Sequence, residues 1–407
     1  MEEHKEARFI VDTLTKHGYV AYYAGGWVRD FLLQKPSDDI DIATSASPET
    51  IQRLFKRTVP IGISFGIILV IIDDKQYEVA TFREDIEYKD GRRPTKIAFS
   101  TAEQDAQRRD FTINGMFYDP LKDMVIDFVD GKKDLEKKLI KAIGNPHARI
   151  KEDRLRMIRA VRLACRFSFA IDPDLKDAIY KHAKELFPAV AIERVVQEFS
   201  KMTMYPSFSK AMLAMHELKL LEVIFPKLQD VDLKTLEDRL KTMENFPRNS
   251  PLIVYVNELF DNNSMDEAIA LCEYLKLSNQ EIKFIKFLYE AKQLHQNLQT
   301  EDCSWALFYA NSLSDLCLHI IGAKVPAPQR VEFFQHHEQR KKELTPFIER
   351  IEKQTPLVTA NDLIDLGIKP SKKLGELLHE AEKISINKRL LDKNAVLKEL
   401  QKHFSLN

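Results

Sequence analysis

Glycine is spread unevenly along this chain of 407 residues. Nine of its twelve glycines lie before residue 145, and only Gly322, Gly367 and Gly375 follow. Tight turns draw on glycine wherever the backbone must enter left-handed conformations. The first third can therefore alternate short strands and helices, while the remainder is restricted to helical runs. The local patterns agree. AYYAG (21–25) is a short β-like run, and GWVRDFLL (26–33) has helical spacing with Val28, Phe31 and Leu32 on one side. DIDIAT (39–44) alternates like a strand. Ser47 and Pro48 provide a cap and first turn for a helix. FGIILVII and QYEVATF flank Asp73-Asp74-Lys75, a hairpin turn. EDIEYKDGRRPTK (84–96) reads as a polar, mobile loop, and VIDFV as another short strand. This mixture predicts an α+β domain, a small sheet backed by helices.

After Ile143 the spacing is helical. One helix is expected over Glu152 to Phe169 and another in AIERVVQEFSKMTM. Pro206, Pro226, Pro247, Pro251, Pro326 and Pro346 punctuate further helices, and Thr359 to Phe404 forms a basic helical end. No repeat of 20 to 50 residues is present. Expected segments are 1–140, 141–205, 206–345 and 346–407.

Composition excludes some classes. With 44% hydrophobic and 30% charged residues the chain reads as soluble and globular. No apolar run reaches the ~18 residues of a membrane span. The first residues, MEEHKEARFIVDTLTKHG, form a charged amphipathic helix without a signal-peptide core. Cys165, Cys272, Cys303 and Cys317 are scattered with no CxxC, which fits a reducing cytoplasm and argues against structural zinc. Net charge is −1, so the total says nothing about nucleic acid. Its distribution does: from Lys132 to Arg166 twelve Lys or Arg oppose four Asp or Glu. Such a run is either a solvated face or a phosphate-facing surface. Nothing in the sequence points to a particular oligomeric state.

Three clusters carry chemistry. In a strand, Asp39 and Asp41 would point to one face and repel unless a cation lay between them. Two carboxylates suit Mg²⁺, which completes its octahedron with waters and phosphate oxygens; alone, such a pair is more often a solvated acidic loop. Upstream, Gly25-Gly26 allows close backbone approach, the following helix would offer free N–H groups to an anion, and Arg29 adds charge. Together these suggest a nucleoside triphosphate site for nucleotidyl transfer, and no GxxxxGK[ST] P-loop occurs. RRDFTINGM (108–116) is the second cluster. Arg109, with Arg108, Asp110, Thr112 and Asn114, would hold phosphates and ribose, although an Arg-Arg-Asp run is also a common surface salt-bridge patch. In the third, KEDRLRMIRAVRLACRF, residues Asp153, Arg156, Arg159 and Arg162 recur every three positions as one polar helix stripe. An exposed stripe is one reading. The other is base recognition: cytosine and adenine share an amine donor beside a ring-nitrogen acceptor, which an Asp/Arg pair matches, whereas uracil and guanine would mispair.

Taken in order, these motifs resemble the class II tRNA nucleotidyltransferases, the CCA-adding enzymes, and their relatives the bacterial poly(A) polymerases. GGWVRDFLL…DDIDIAT, RRDFTINGM, VDGKKDL, EDRLR and ERVVQEF resemble the five family motifs, over about 200 residues. LIDLGIKPSKKLGELL resembles a common tail segment. The resemblance implies a head of the DNA polymerase β-like nucleotidyltransferase type (1–140), followed by all-α neck, body and tail. It implies that Asp39 and Asp41 carry Mg²⁺, that Gly25, Gly26, Arg29 and Arg109 contact nucleotide phosphates and sugar, and that Asp153 and Arg156 pair with the base. Arg159 and Arg162 would hold the triphosphate or the stripe's geometry, and Glu193 and Arg194 would support that helix. The 84–95 loop resembles one used to switch from C to A. The implied substrates are CTP, ATP and the acceptor arm and 3′ end of tRNA, without a membrane, in the cytoplasm. Addition of A alone and poly(A) synthesis are alternatives within the family, and an inactive RNA-binding scaffold lies outside it. Glu78 is a possible third carboxylate. Trp27 stands where bacterial members usually have a small residue, with no physical reason evident in the sequence.

Overall fold

The computed structural model describes residues 4–62, 65–88, 94–297 and 299–403. Two compact units form the chain, Met1–Glu237 and Asp238–Asn407. In the first, helix α1 (Lys5–Lys16) buries Ala7, Ile10, Val11 and Leu14. Strand β1 (Ala21–Ala24), helix α2 (Gly26–Leu32), strand β2 (Asp41–Thr44), helix α3 (Pro48–Leu54) and strands β3 (Thr58–Gly62), β4 (Ile67–Ile72) and β5 (Lys75–Thr81) follow. Next come strands β6 (Arg83–Tyr88) and β7 (Pro94–Phe99), helix α4 (Ala102–Gln107), strands β8 (Phe117–Asp119) and β9 (Met124–Ile126), helix α5 (Gly131–Glu136) and strand β10 (Leu139–Ile140). The unit continues through helices α6 (Pro146–Glu152) and α7 (Leu155–Phe167), strand β11 (Ala170–Ile171), and helices α8 (Pro173–His182) and α9 (Ile192–Thr203).

Seven strands form one sheet in the order β3-β4-β5-β2-β1-β8-β9, in which only β2 and β5 run parallel. Alternation along β1 sends Tyr22 and Ala24 toward Phe82, Phe117 and Ala106 of α4, and Tyr23 to the opposite face against Trp27. The β4–β5 turn is as expected: Asp73 and Asp74 both have positive φ, the conformation of a two-residue hairpin loop matched to strand twist. The expected cap of α3 is also present, Ser47 accepting from the Thr50 N–H at 3.3 Å. The α+β head and helical remainder therefore stand.

The structure corrects four local expectations. The polar 84–96 segment is largely an antiparallel hairpin, β6 against β7, and its residues 89–93 lie outside the described ones. Strand β2 starts only at Asp41, leaving Asp39 in the preceding connection. The helix expected over Glu152 to Phe169 is two helices, because Asp153 is extended (φ −147°, ψ 106°) and its carboxylate accepts from the Leu155 N–H at 3.1 Å. A short acid that bonds the backbone competes with helix continuation. Pro346 ends nothing: it lies inside the helix Ala327–Glu352, which has 26 residues. The segment boundary expected near 345 falls in that helix.

Among its described residues the second unit has helices as its only regular elements. Toward its end, Val358, Leu363, Leu377, Ala381, Ile384, Val396 and Leu400 form a core between the helices Ala360–Asp365, Lys372–Asn387 and Lys393–His403. No helix among the described residues is long and apolar enough to cross a membrane, and all four cysteines are free.

Candidate active site

A cleft of roughly 580 Å³ opens in the first unit, lined among the described residues by nine cationic side chains and four carboxylates. Gly25, Gly26, Arg29, Asp39, Asp41, Arg109, Asp153, Arg156, Arg159 and Arg162, all singled out in the sequence, line it together. A larger cavity of about 710 Å³ in the second unit gathers no such charge; Lys383, its only cation, is paired with Glu301 at 3.1 Å.

The two glycines sit where β1 turns into α2. Gly25 has φ +70°, and a Cβ there would lie 3.5 Å from both the Arg109 Nη1 and the Asp41 Oδ2. A side chain would thus meet strain and wedge into the gap between a cation and a carboxylate. Asp41 is fixed by register, opposite Ala24 on one side and next to Glu78 on the other, since Ile42 pairs with Val79. Burial pushes the Asp41 carboxyl up to about 6, with Asp39 and Glu78 adding to the rise and Arg109 opposing it. Among the described residues, neither the Asp39 nor the Asp41 carboxylate takes part in a side-chain hydrogen bond or ion pair, although the Asp41 backbone sits in the β1–β2 ladder. Two oxygen ligands with unbalanced negative charge fit a hard divalent cation. Among the described residues no three His, Cys, Asp or Glu side chains gather to hold one unaided. The remaining coordination positions are then left to water and phosphate oxygens.

The arginines, by contrast, are tethered to acids, some of which serve two of them. Asp105 on α4 is 1% exposed. Its Oδ1 accepts from Arg108 Nε and Nη2 at 3.0 and 2.8 Å, and its Oδ2 from Arg109 Nε and Nη2 at 3.0 and 2.9 Å. Burial raises this carboxyl, but Arg109 and Arg108 outweigh it and hold it below the usual carboxylate range. Arg29 is buried, donating to Asp30 at 2.8 Å and to Asn114 Oδ1 at 2.6 Å. Asn114 passes its amide to Asp110 at 3.1 Å, and Asp110 accepts from Arg159 at 2.9 and 2.5 Å. Burial of Asp110 is overcome by Arg159, with help from Asn114 and Arg156, and its carboxyl is held far down. Arg162 donates to Glu198 on α9 at 2.5 Å.

At the break between α6 and α7 the expected base-reading pair is split. Arg194 of α9 grips Asp153 with two bonds of 3.1 and 2.9 Å. Arg156 donates to Glu152 at 2.7 Å, to the Arg149 carbonyl at 2.9 Å and to the Arg108 carbonyl at 3.3 Å. Asp153 and Arg156 therefore face the cleft from separate supports, and Asp153 precedes the helix on which the stripe was expected to begin.

Residues 21–141 match the Poly A polymerase head domain, and residues 168–231 match the probable RNA and SrmB-binding site of polymerase A. The CCA-adding enzyme of Enterococcus faecalis is 33% identical over 402 residues, 97% of this chain and 95% of that one. The chain belongs to the family of CCA-adding enzymes. That of Pediococcus pentosaceus is also 33% identical, covering 97% of both chains. The crystal structure of the Bacillus stearothermophilus CCA-adding enzyme in complex with CTP superimposes with a TM-score of 0.81 at 25% identity, over 99% of each chain. As a family member the chain is a nucleotidyltransferase.

Several residues that support the cleft were not anticipated. Asp105 was missed although it stands four residues before Arg109, the spacing of a helix ion pair. Glu198 was passed over inside ERVVQEF, and Asp30 inside GGWVRD, where it also accepts from Arg166 at 3.2 Å. Arg166, Arg83 and Lys201 complete the cleft's positive lining. Only the fold brings these long-range partners together.

Proposed function

We propose that this enzyme adds C, C and A to the 3′ end of tRNA from CTP and ATP without a nucleic-acid template. The observation that carries the reading is one cleft holding the unpaired Asp39/Asp41 carboxylates and the Gly25 turn at one end, and Asp153 and Arg156 at another. The tRNA 3′ hydroxyl attacks the α-phosphate of the bound nucleotide. A bond forms from that oxygen to phosphorus, the α–β bridging bond breaks, and pyrophosphate leaves. Asp39 and Asp41 would hold two Mg²⁺ ions, whose charge would ease loss of the hydroxyl proton and steady the pyrophosphate leaving group. Gly25 and Gly26 leave room for the phosphates, while Arg109 neutralises their charge. Arg29, Arg159 and Arg162, each on its carboxylate or amide, keep a positive field without rearranging when nucleotide enters. Asp153 accepts from the exocyclic amine of C or A, and Arg156 donates to the adjacent ring nitrogen.

Residues 1–140 act as catalytic head and 141–205 as base-reading neck. The helical residues after 205 hold the tRNA acceptor arm, and the reaction is cytoplasmic. The deciding assay uses tRNA transcripts ending at the discriminator base, at C and at CC, with single and mixed nucleotides and an oligo(A) control. Addition that stops after CCA is expected; A alone, or long A tails, overturns it. Asp39→Ala should abolish incorporation and spare tRNA binding. Arg156→Ala should admit U and G, and an unchanged nucleotide preference removes Arg156 from base reading.

A further inference from the structure

Asp39 owes its position to very little backbone structure. Lys35 N–H still donates to the Asp30 carbonyl at 2.9 Å, and β2 begins at Asp41. For residues 36–39, only two hydrogen bonds occur among the described residues. One is local, Ile40 N–H to the Asp38 carbonyl at 3.2 Å. The other comes from outside the segment: the Trp27 indole Nε1–H donates to the Ser37 carbonyl at 3.0 Å. Burial of Ile40 anchors the far end, but packing of one side chain does not orient the residues before it.

The indole is itself immobilised. Trp27 is 6% exposed, stacks on Phe31 at 5.0 Å and 11°, meets Tyr23 of β1 edge-on at 5.1 Å, and touches Tyr118 of β8 at 5.5 Å. It is also the second residue of α2, immediately after Gly26. One rigid ring thus joins the glycine turn, the sheet and the acidic segment.

We propose that Trp27 is a positioning residue for Asp39: its indole N–H holds the Ser37 carbonyl and thereby sets where the Asp39 carboxylate meets the cation. The proposal rests on the reading of Asp39 and Asp41 as the cation pair. An aromatic ring lacking the donor would fill the same space yet leave residues 36–39 without an outside hydrogen bond. Asp39 would then sample positions that the bound ion must select among, at a cost to affinity.

The test is direct binding of Mn²⁺, followed by electron paramagnetic resonance, to the full-length protein and two variants. Trp27→Phe removes the donor. Replacement of Trp27 by β-(3-benzothienyl)alanine puts sulfur in place of the N–H and keeps the ring's size, so packing is retained if the phenylalanine variant folds poorly. Mn²⁺ affinity should fall about fivefold in both, the worth of one net hydrogen bond. In addition assays kcat should fall while KM for CTP and tRNA affinity stay at wild-type values. Wild-type Mn²⁺ affinity in the benzothienyl protein overturns the role of Trp27. Asp39→Ala separates the two levels: if it binds Mn²⁺ like wild type, the cation reading of the pair is what fails.

Discussion

At the scale of the residue, Asp41 and the arginines obey opposite rules. The arginines have their counter-charges built in, whereas Asp41 is left with like charges beside it and a carboxyl raised to about 6. A protonated carboxyl is a poor cation ligand. Cation affinity should therefore be full above about pH 6 and weaken by up to tenfold per pH unit below it, as a proton competes for the same oxygen. Calorimetric Mg²⁺ titrations between pH 5 and 8 check this, and an affinity flat across that range would contradict it. Asp153 raises a different question, because its orientation comes from Arg194. Arg194→Met should raise KM for CTP and ATP by about tenfold through loss of a bidentate charged contact, and should let UTP compete in single-turnover incorporation. Much at this scale was legible in the sequence, since Asp39, Asp41, Gly25 and Asp153 stand in short recognisable strings. What the strings cannot convey is partnership. Arg194 and Asp153 are 41 positions apart, and Trp27 gains its reason only when Ser37 folds back over it.

Among elements, the decisive feature is how α7 is bound to its surroundings. Asp110 and Glu198 approach it from the loop after α4 and from α9, and each takes an arginine from it. Removing one member of a fully buried pair costs about 3–5 kcal/mol, but the Arg159 side chain is 31% exposed and that of Asp110 12%, so solvent compensates part of the loss. Asp110→Asn should lower stability by about 1–2 kcal/mol, read from urea midpoints. The sign with pH follows from the folded-state shift. The Asp110 carboxyl is held below its ordinary 3.8, so the stabilisation it brings is complete above about pH 4 and is lost as pH falls further. Asp41 runs the other way: its raised carboxyl favours the folded state most at low pH, and that contribution fades between about pH 4 and 6. Acid melts of Asp110→Asn should show a shallower loss below pH 4 than wild type. The element pattern itself was readable where hydrophobic period and turn chemistry agreed, as at β4–β5. It failed where a side chain overruled the period, as at Asp153, and where polar residues pair as strands, as in β6–β7.

For the molecule as a whole, charge is the property with the widest reach. A net charge of −1 conceals a first unit whose cleft carries nine cations against four carboxylates. Binding of tRNA through phosphate contacts should weaken steeply with salt, with a log–log slope of about −0.9 per phosphate neutralised on duplex RNA-like segments. Filter binding between 50 and 200 mM KCl measures it, and a flat response would remove phosphate contacts as the source of affinity. The glycine asymmetry foretold the division into a mixed first part and helical remainder. It did not locate the division between compact units, because helices continue across residue 237 without any change of composition.

The tethering of cleft arginines to carboxylates also bears on descent. A lineage that alters Arg159 leaves Asp110 bare, and one that alters Asp153 leaves Arg194 bare. Such sites change in twos or not at all. Among distant cousins of this chain, Asp110 with Arg159, Glu198 with Arg162, and Asp153 with Arg194 should be inherited as couples, whereas Trp27, whose partner is a main-chain carbonyl that any residue at 37 provides, should show no covariation with the residue at 37.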